Sequence, residues 1–155
     1  MGLREKIGRW IFKTAPKMEA LGILVTIAGV ALQKFEPGQV ARSISLIGLT
    51  TLAISYFILV YLPRPSGSWL LKYLHQLFPM TCTITVLAIQ FQWMDYPDSN
   101  LLMKLITIVL PLSLIGFGWL KWVKSRKMPF LEPLVLRVLL LFAILLALDQ
   151  GWFTI

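Results

Sequence analysis

Two long apolar segments joined by a basic connector dominate the C-terminal part of this sequence. Residues 101–120 read LLMKLITIVLPLSLIGFGWL, residues 121–127 read KWVKSRK, and residues 128–148 read MPFLEPLVLRVLLLFAILLAL. A helix of about 20 predominantly apolar residues spans the hydrocarbon core of a bilayer. The pattern therefore predicts two transmembrane helices connected by a short cationic turn.

The composition of the whole chain supports this interpretation. Of the 155 residues, 57% are apolar and only 14% are charged, whereas soluble domains carry about 25% charged residues. The net charge is +8, and most basic residues lie beside apolar segments. This placement favours a role in membrane orientation over nucleic-acid binding, so we expect no nucleic-acid partner.

The apolar segments predict an all-α fold, a polytopic integral membrane bundle of about five transmembrane helices with its N-terminus inside. We expect residues 18–155 to form the membrane domain. Its five spans are predicted at about residues 18–33, 44–62, 74–93, 101–122 and 130–148.

The N-terminal residues 1–17 are basic and amphipathic. Leu3, Ile7, Trp10 and Ile11 recur at helical spacing among arginines and lysines. This pattern is typical of a short helix that lies on an anionic membrane surface, with a frayed cytoplasmic tail as the alternative.

The distribution of basic residues predicts which side each connection occupies. With five spans, only Lys34 and Arg42 fall in outside loops, as the excess of basic residues in cytoplasmic loops requires. If the first segment did not cross the membrane, seven basic residues would lie on the inside and six on the outside, and the charge asymmetry would be lost. A re-entrant last helix would leave the count unchanged. The eleven inside residues are Arg4, Lys6, Arg9, Lys13, Lys17, Arg64, Lys72, Lys121, Lys124, Arg126 and Lys127.

Three spans carry a face of small or weakly polar residues, which favours close helix packing in membranes. For the third face, which has Gln90 nearby, interhelical hydrogen bonds are the preferred interpretation and a hydrophilic path is the alternative. The faces are Gly22, Thr26 and Gly29 in the first span, Ser45, Gly48, Thr51 and Ser55 in the second, and Thr81, Thr85, Ala88 and Gln92 in the third.

Arg137 lies roughly 10 Å into the last span, counted from Phe130 at about 1.5 Å per residue. An arginine at the centre of a span costs about 2.5–3.5 kcal/mol on insertion scales, so we expect it to find a partner or to extend towards the interface. Glu132 and Glu19 are the candidate partners. These three residues form either a ligand site or a structural cluster, and the structural interpretation is favoured. Pro111, in the middle of the fourth span, is a candidate hinge.

Catalytic, metal and cofactor sites have no support in the sequence. There is one cysteine, Cys82, and one histidine, His75, which excludes a four-ligand Cys/His metal site. We therefore expect a protein that is not an enzyme and carries no cofactor. The candidate contacts to anionic lipid headgroups are Arg9, Lys13, Lys121, Lys124, Arg126 and Lys127.

The function that this pattern favours is a non-catalytic accessory or assembly subunit of a larger membrane complex. Its expected location is the inner (plasma) membrane, and its expected partners are membrane lipids and other integral-membrane subunits or a second copy of itself. The alternative is a subunit of a transporter or channel for small solutes or lipids, with Arg137 in the substrate site and Pro111 at the kink of the fourth span.

Overall fold

The computed structural model describes residues 3–62, 69–94, 96–97, 99–124 and 131–149. Within them the fold is all-α, as predicted. The helices are α1 (Leu3–Phe35), α2 (Gln39–Leu59), α3 (Trp69–Trp93), α4 (Ser99–Lys124) and α5 (Leu131–Asp149).

Four segments of the described helices are long and apolar enough to cross a membrane. They are Gly8–Phe35, Gln39–Leu59, Trp69–Trp93 and Asn100–Trp122. That α5 also crosses, and that the N-terminus lies inside, stay predictions.

The outer surface of these helices is apolar, which is the reverse of a soluble protein. Helix α4 shows this most clearly, because large apolar residues three or four positions apart line one exposed face. These residues are Leu101, Leu105, Ile108, Leu112, Ile115, Trp119 and Trp122. An exposed apolar stripe of this length indicates a helix that contacts lipid or another membrane protein.

Helices α1 to α4 all begin before the spans predicted from the sequence. Helix α1 runs without a break through Pro16, so the N-terminal segment is helical and continuous with the first span. The reason is packing, because Ile11 and Ala15 of this part are buried against Leu62. Helix α3 begins at Trp69, so Pro79 lies in its interior.

Helix α3 is the centre of the bundle. It packs against α2, α4 and α5, and 61% of its candidate span is buried, compared with 17% for those of α1 and α4. Its residues Phe78, Cys82 and Val86 are fully buried in the main core. Helices α1 and α4 therefore lie at the periphery.

The first two small-residue faces pack against each other. A Cβ atom on Gly29 would overlap the backbone of Ser45, and one on Gly48 would overlap the backbone of Thr26. Gly22 is also close to α2, because a Cβ atom there would lie 2.8 Å from Cγ of Leu52. The prediction of close packing is confirmed for these residues, and their pairing makes α1 and α2 an antiparallel hairpin.

The hydroxyl groups of the third face donate within α3. Thr81 donates to the carbonyl of Leu77, and Thr85 donates to that of Thr81. Gln90 does bond to a neighbouring helix, because its Nε2 lies 3.3 Å from Oγ1 of Thr50 on α2. The interpretation as interhelical hydrogen bonds is therefore wrong for Thr81 and Thr85, and for Gln92 it stays a prediction.

Candidate functional site

An ion pair joins the first and last helices inside the bundle. Nε of Arg137 on α5 lies 2.6 Å from Oε1 of Glu19 on α1. The same carboxylate oxygen accepts a hydrogen bond of 2.9 Å from the hydroxyl of Tyr56 on α2. Three helices thus contribute one charged or polar group each to a single cluster.

The three side chains differ in their access to the surroundings. Tyr56 is buried and Glu19 nearly so, with 13% of its side chain exposed, whereas 36% of the Arg137 side chain is exposed. The cluster is therefore closed at Tyr56 and open at Arg137.

The depth of the cluster follows from a second ion pair nearer the end of the bundle. Nζ of Lys121 on α4 lies 3.3 Å from Oε1 of Glu132 on α5, and both side chains are largely exposed. Arg137 lies five residues further along α5, which is about 7.5 Å deeper at 1.5 Å per residue. The pair of Glu19 and Arg137 therefore lies within the apolar part of the bundle.

The structure divides the three-residue cluster predicted from the sequence. Glu19 and Arg137 come together, whereas Glu132 faces Lys121 on the neighbouring helix. A spacing of five residues points Glu132 and Arg137 in different directions on one helix, which explains the separation. Lys121 also lies 5.9 Å from the ring centroid of Phe117, over its face.

The other candidate residues are spread over the surface. Arg9 and Lys13 are exposed on α1, and Lys121 is exposed on α4. The Lys124 side chain and residues Arg126 and Lys127 lie outside the described part of the structure. The lipid contacts of all six residues stay predictions.

Helix α4 continues through Pro111 as regular α-helix. Pro111 cannot donate a hydrogen bond to the carbonyl of Thr107, four residues earlier. The Thr107 hydroxyl donates to Met103, and that of Ser113 donates to Val109. Neither hydroxyl therefore replaces the missing bond, and the role of Pro111 as a hinge stays a prediction.

Tyr56 was missed in the sequence although a signal for it exists. The glycine faces set the register of the α1–α2 hairpin, with Gly29 beside Ser45 and Gly22 beside Leu52. One turn further along, that register places Glu19 opposite Tyr56. A tyrosine hydroxyl in an apolar helix needs a partner, and the hairpin register identifies it.

Comparison with protein-family models, with curated proteins and with solved structures finds no match for this chain. The chemistry of the cluster must therefore be argued from its own groups. Among the described residues, no three side chains of the metal-binding types His, Cys, Asp and Glu lie together. The cluster contains the planar guanidinium group of Arg137, the carboxylate of Glu19 and the hydroxyl of Tyr56. These groups suit the binding and orientation of a polar ligand.

Proposed function

We propose that this protein is a non-catalytic accessory or assembly subunit of a larger integral-membrane complex, located in the plasma membrane with five spans and its N-terminus inside. The observation that carries the proposal is the uncovered face of α4. Among the helices that the structure describes, α4 packs extensively only against α3, and most of its candidate span is unburied.

That face of α4 carries features that lipid solvates poorly. Thr107 and Pro111 are exposed, and the backbone carbonyl of Thr107 has lost its regular helical donor at Pro111. Backbone groups without a partner are costly in hydrocarbon. A neighbouring protein helix that supplies a donor would remove this cost.

A glycine on the same side of α4 leaves room for such a neighbour. Gly118 is exposed, and a Cβ atom there would meet nothing within 4 Å. Gly118 follows Pro111 by seven residues, so the two lie on one side of the helix. Small residues at this spacing allow two helices to approach closely.

The proposal is tested by extracting the tagged full-length protein from its own membrane in mild detergent and weighing it by native mass spectrometry. The expected result is a stoichiometric assembly with other integral-membrane proteins. Gly118→Leu should release those proteins, because the added side chain fills the space on α4. Ala143→Leu, at an exposed position of α5, is the matched control. A free monomer from the unmodified membrane would contradict the proposal.

A second candidate function is a subunit of a transporter or channel. The observation that favours it is the intramembrane pair of Glu19 and Arg137, because ionisable residues inside membranes often line the paths of ions or substrates. Solute flux should then fall in Arg137→Ala and Pro111→Ala variants that still insert normally. Unchanged flux in both variants would remove this candidate.

A further inference from the structure

Arg137 and Glu19 carry more hydrogen-bonding groups than their contact through Nε and Oε1 requires. A guanidinium has five N–H donors, one on Nε and four on the two Nη atoms, and Nε lies against Oε1 of Glu19. That same oxygen also accepts the bond from Tyr56. The side chain of Arg137 is 36% exposed and that of Glu19 is 13% exposed, so both groups can be reached from outside the bundle.

The open side of the cluster is bordered by apolar side chains that face outward. Leu136 and Leu140 flank Arg137 on α5 and are 65% and 58% exposed. Ile23, one turn from Glu19 on α1, is 43% exposed. The charged groups therefore adjoin a surface suited to acyl chains, between two helices that do not pack extensively against each other.

We propose that this cluster binds the headgroup of a phospholipid that carries both a phosphate and a primary ammonium group, as in phosphatidylethanolamine. The Nη donors of Arg137 hold the phosphate oxygens, and Oε2 of Glu19 accepts an N–H bond from the ammonium group. The acyl chains lie along Ile23, Leu136 and Leu140. The proposal does not depend on whether the chain joins a larger complex.

The charge balance of the cluster favours this class of headgroup over an anionic one. Glu19 and Arg137 together are neutral, so a ligand with one phosphate charge alone would leave a net negative charge in a medium of low dielectric constant. A zwitterionic headgroup keeps the site neutral and matches each charged group with its complement. A planar guanidinium is also well suited to phosphate, which it can hold through two parallel hydrogen bonds.

The depth of the site is compatible with a headgroup. Arg137 lies about 7.5 Å below the level of Glu132 along the helix axis, and Lys121 and Glu132 mark the exposed end of the bundle. An arginine side chain extends from such a depth towards the interface while its stem stays in apolar surroundings. Tyr56 and Glu19 fix the position of its Nε, which orients the fork.

The test is a titration of the purified full-length protein, followed by native mass spectrometry. Three lipids with identical acyl chains and phosphoethanolamine, phosphocholine or phosphoglycerol headgroups are compared. The phosphoethanolamine lipid should bind about tenfold tighter than the phosphocholine lipid, which has no N–H donor, a difference of about 1.4 kcal/mol. The phosphoglycerol lipid should also bind more weakly.

The variants are chosen so that no charge is left alone in the membrane. Glu19→Gln combined with Arg137→Gln should abolish the headgroup preference. Lys34→Gln combined with Glu36→Gln, the same loss of one basic and one acidic group at exposed positions at the end of α1, should preserve it. Arg137→Lys keeps the positive charge but removes the planar guanidinium group, so it should weaken the binding of all three lipids. This single variant keeps the test valid if the double variant does not fold.

Three results would overturn the proposal. The first is equal binding of the three lipids, or phosphoglycerol binding at least as tight as phosphoethanolamine. The second is a preference that survives the Glu19→Gln/Arg137→Gln change, or lipid affinities that Arg137→Lys leaves unchanged. The third is the recovery from the native membrane of a protein partner that occupies Arg137 and excludes the lipid.

Discussion

A charge inside the hydrocarbon core is tolerated when the protein supplies its hydrogen bonds or when the side chain reaches the interface. The protein supplies hydrogen bonds to Glu19, because Arg137 and Tyr56 both bond to its Oε1. Arg137 is stabilised in both ways, because its Nε bonds to Glu19 and its side chain is partly exposed. The sequence shows that Arg137 is a charged residue in an apolar span. Whether its partner is Glu19 or Glu132 depends on how the helices pack, which the sequence does not show.

The first prediction concerns the energetic coupling of this pair. Glu19→Gln and Arg137→Gln should each lower the free energy of unfolding by about 1.5–3 kcal/mol, because each removes a charged hydrogen-bonding partner. The double variant should lose less than the sum, by about 1 kcal/mol or more, because the two groups are in direct contact. Reversible unfolding in mixed micelles, followed by circular dichroism, measures all three values.

The exposed pair of Lys121 and Glu132 provides the control for this cycle. Its coupling should be about 0–1 kcal/mol, because exposed ion pairs contribute little. Additive losses at Glu19 and Arg137, or equal coupling in the two pairs, would contradict the prediction.

At the scale of the helices, the hairpin of α1 and α2 is the most tightly packed unit. Its glycines bring the two backbones so close that a single methyl group does not fit at Gly29. The sequence predicted the small-residue faces because their spacing follows the helical period. It did not predict that α1 continues through Pro16, because this depends on the burial of Ile11 and Ala15 against Leu62.

The second prediction compares two glycines of different surroundings. Gly29→Ala should destabilise the protein by about 1–3 kcal/mol, the usual cost of overpacking. Gly118→Ala should be neutral or stabilising by up to about 1 kcal/mol, because alanine favours a helix more than glycine does and the space at Gly118 is open. The same unfolding measurement applies to both, and an equal effect at the two positions would argue against close packing of α1 on α2.

At the scale of the whole molecule, the contacts place opposite ends of successive helices together. The end of α2 and the first half of α1 meet at Leu62, and the end of α4 meets the start of α5 through Lys121 and Glu132. At the other end, a guanidinium nitrogen of Arg42 on α2 donates to the carbonyl of Trp93, 2.9 Å away. A positive charge at the C-terminal end of α3 is favourable for the helix dipole, so Arg42 has a structural role beyond the charge count.

The sequence predicted the helical class and the approximate positions of the helices because apolar length is a local property. It did not reveal that α3 is central, because the burial of α3 follows from its contacts with α2, α4 and α5, which the sequence of one helix does not specify.

The third prediction concerns orientation in the membrane. Because Cys82 is buried, cysteines introduced at exposed positions can be labelled selectively. Gly38→Cys, in the turn between α1 and α2, should react with a membrane-impermeant maleimide in intact cells. Lys13→Cys should react only after the membrane is permeabilised. The reverse pattern would overturn the orientation that the basic residues predict.

The ion pair of Glu19 and Arg137 has a consequence for the synthesis of the protein. The two residues are separated by 118 positions in the chain, which corresponds to about 6–24 s at 5–20 residues per second on the ribosome. After α2 has been made and before α5 follows, Glu19 has only the hydroxyl of Tyr56. A chain truncated before α5 would keep this carboxylate without its guanidinium partner, which would mark it as unfinished for cellular quality control.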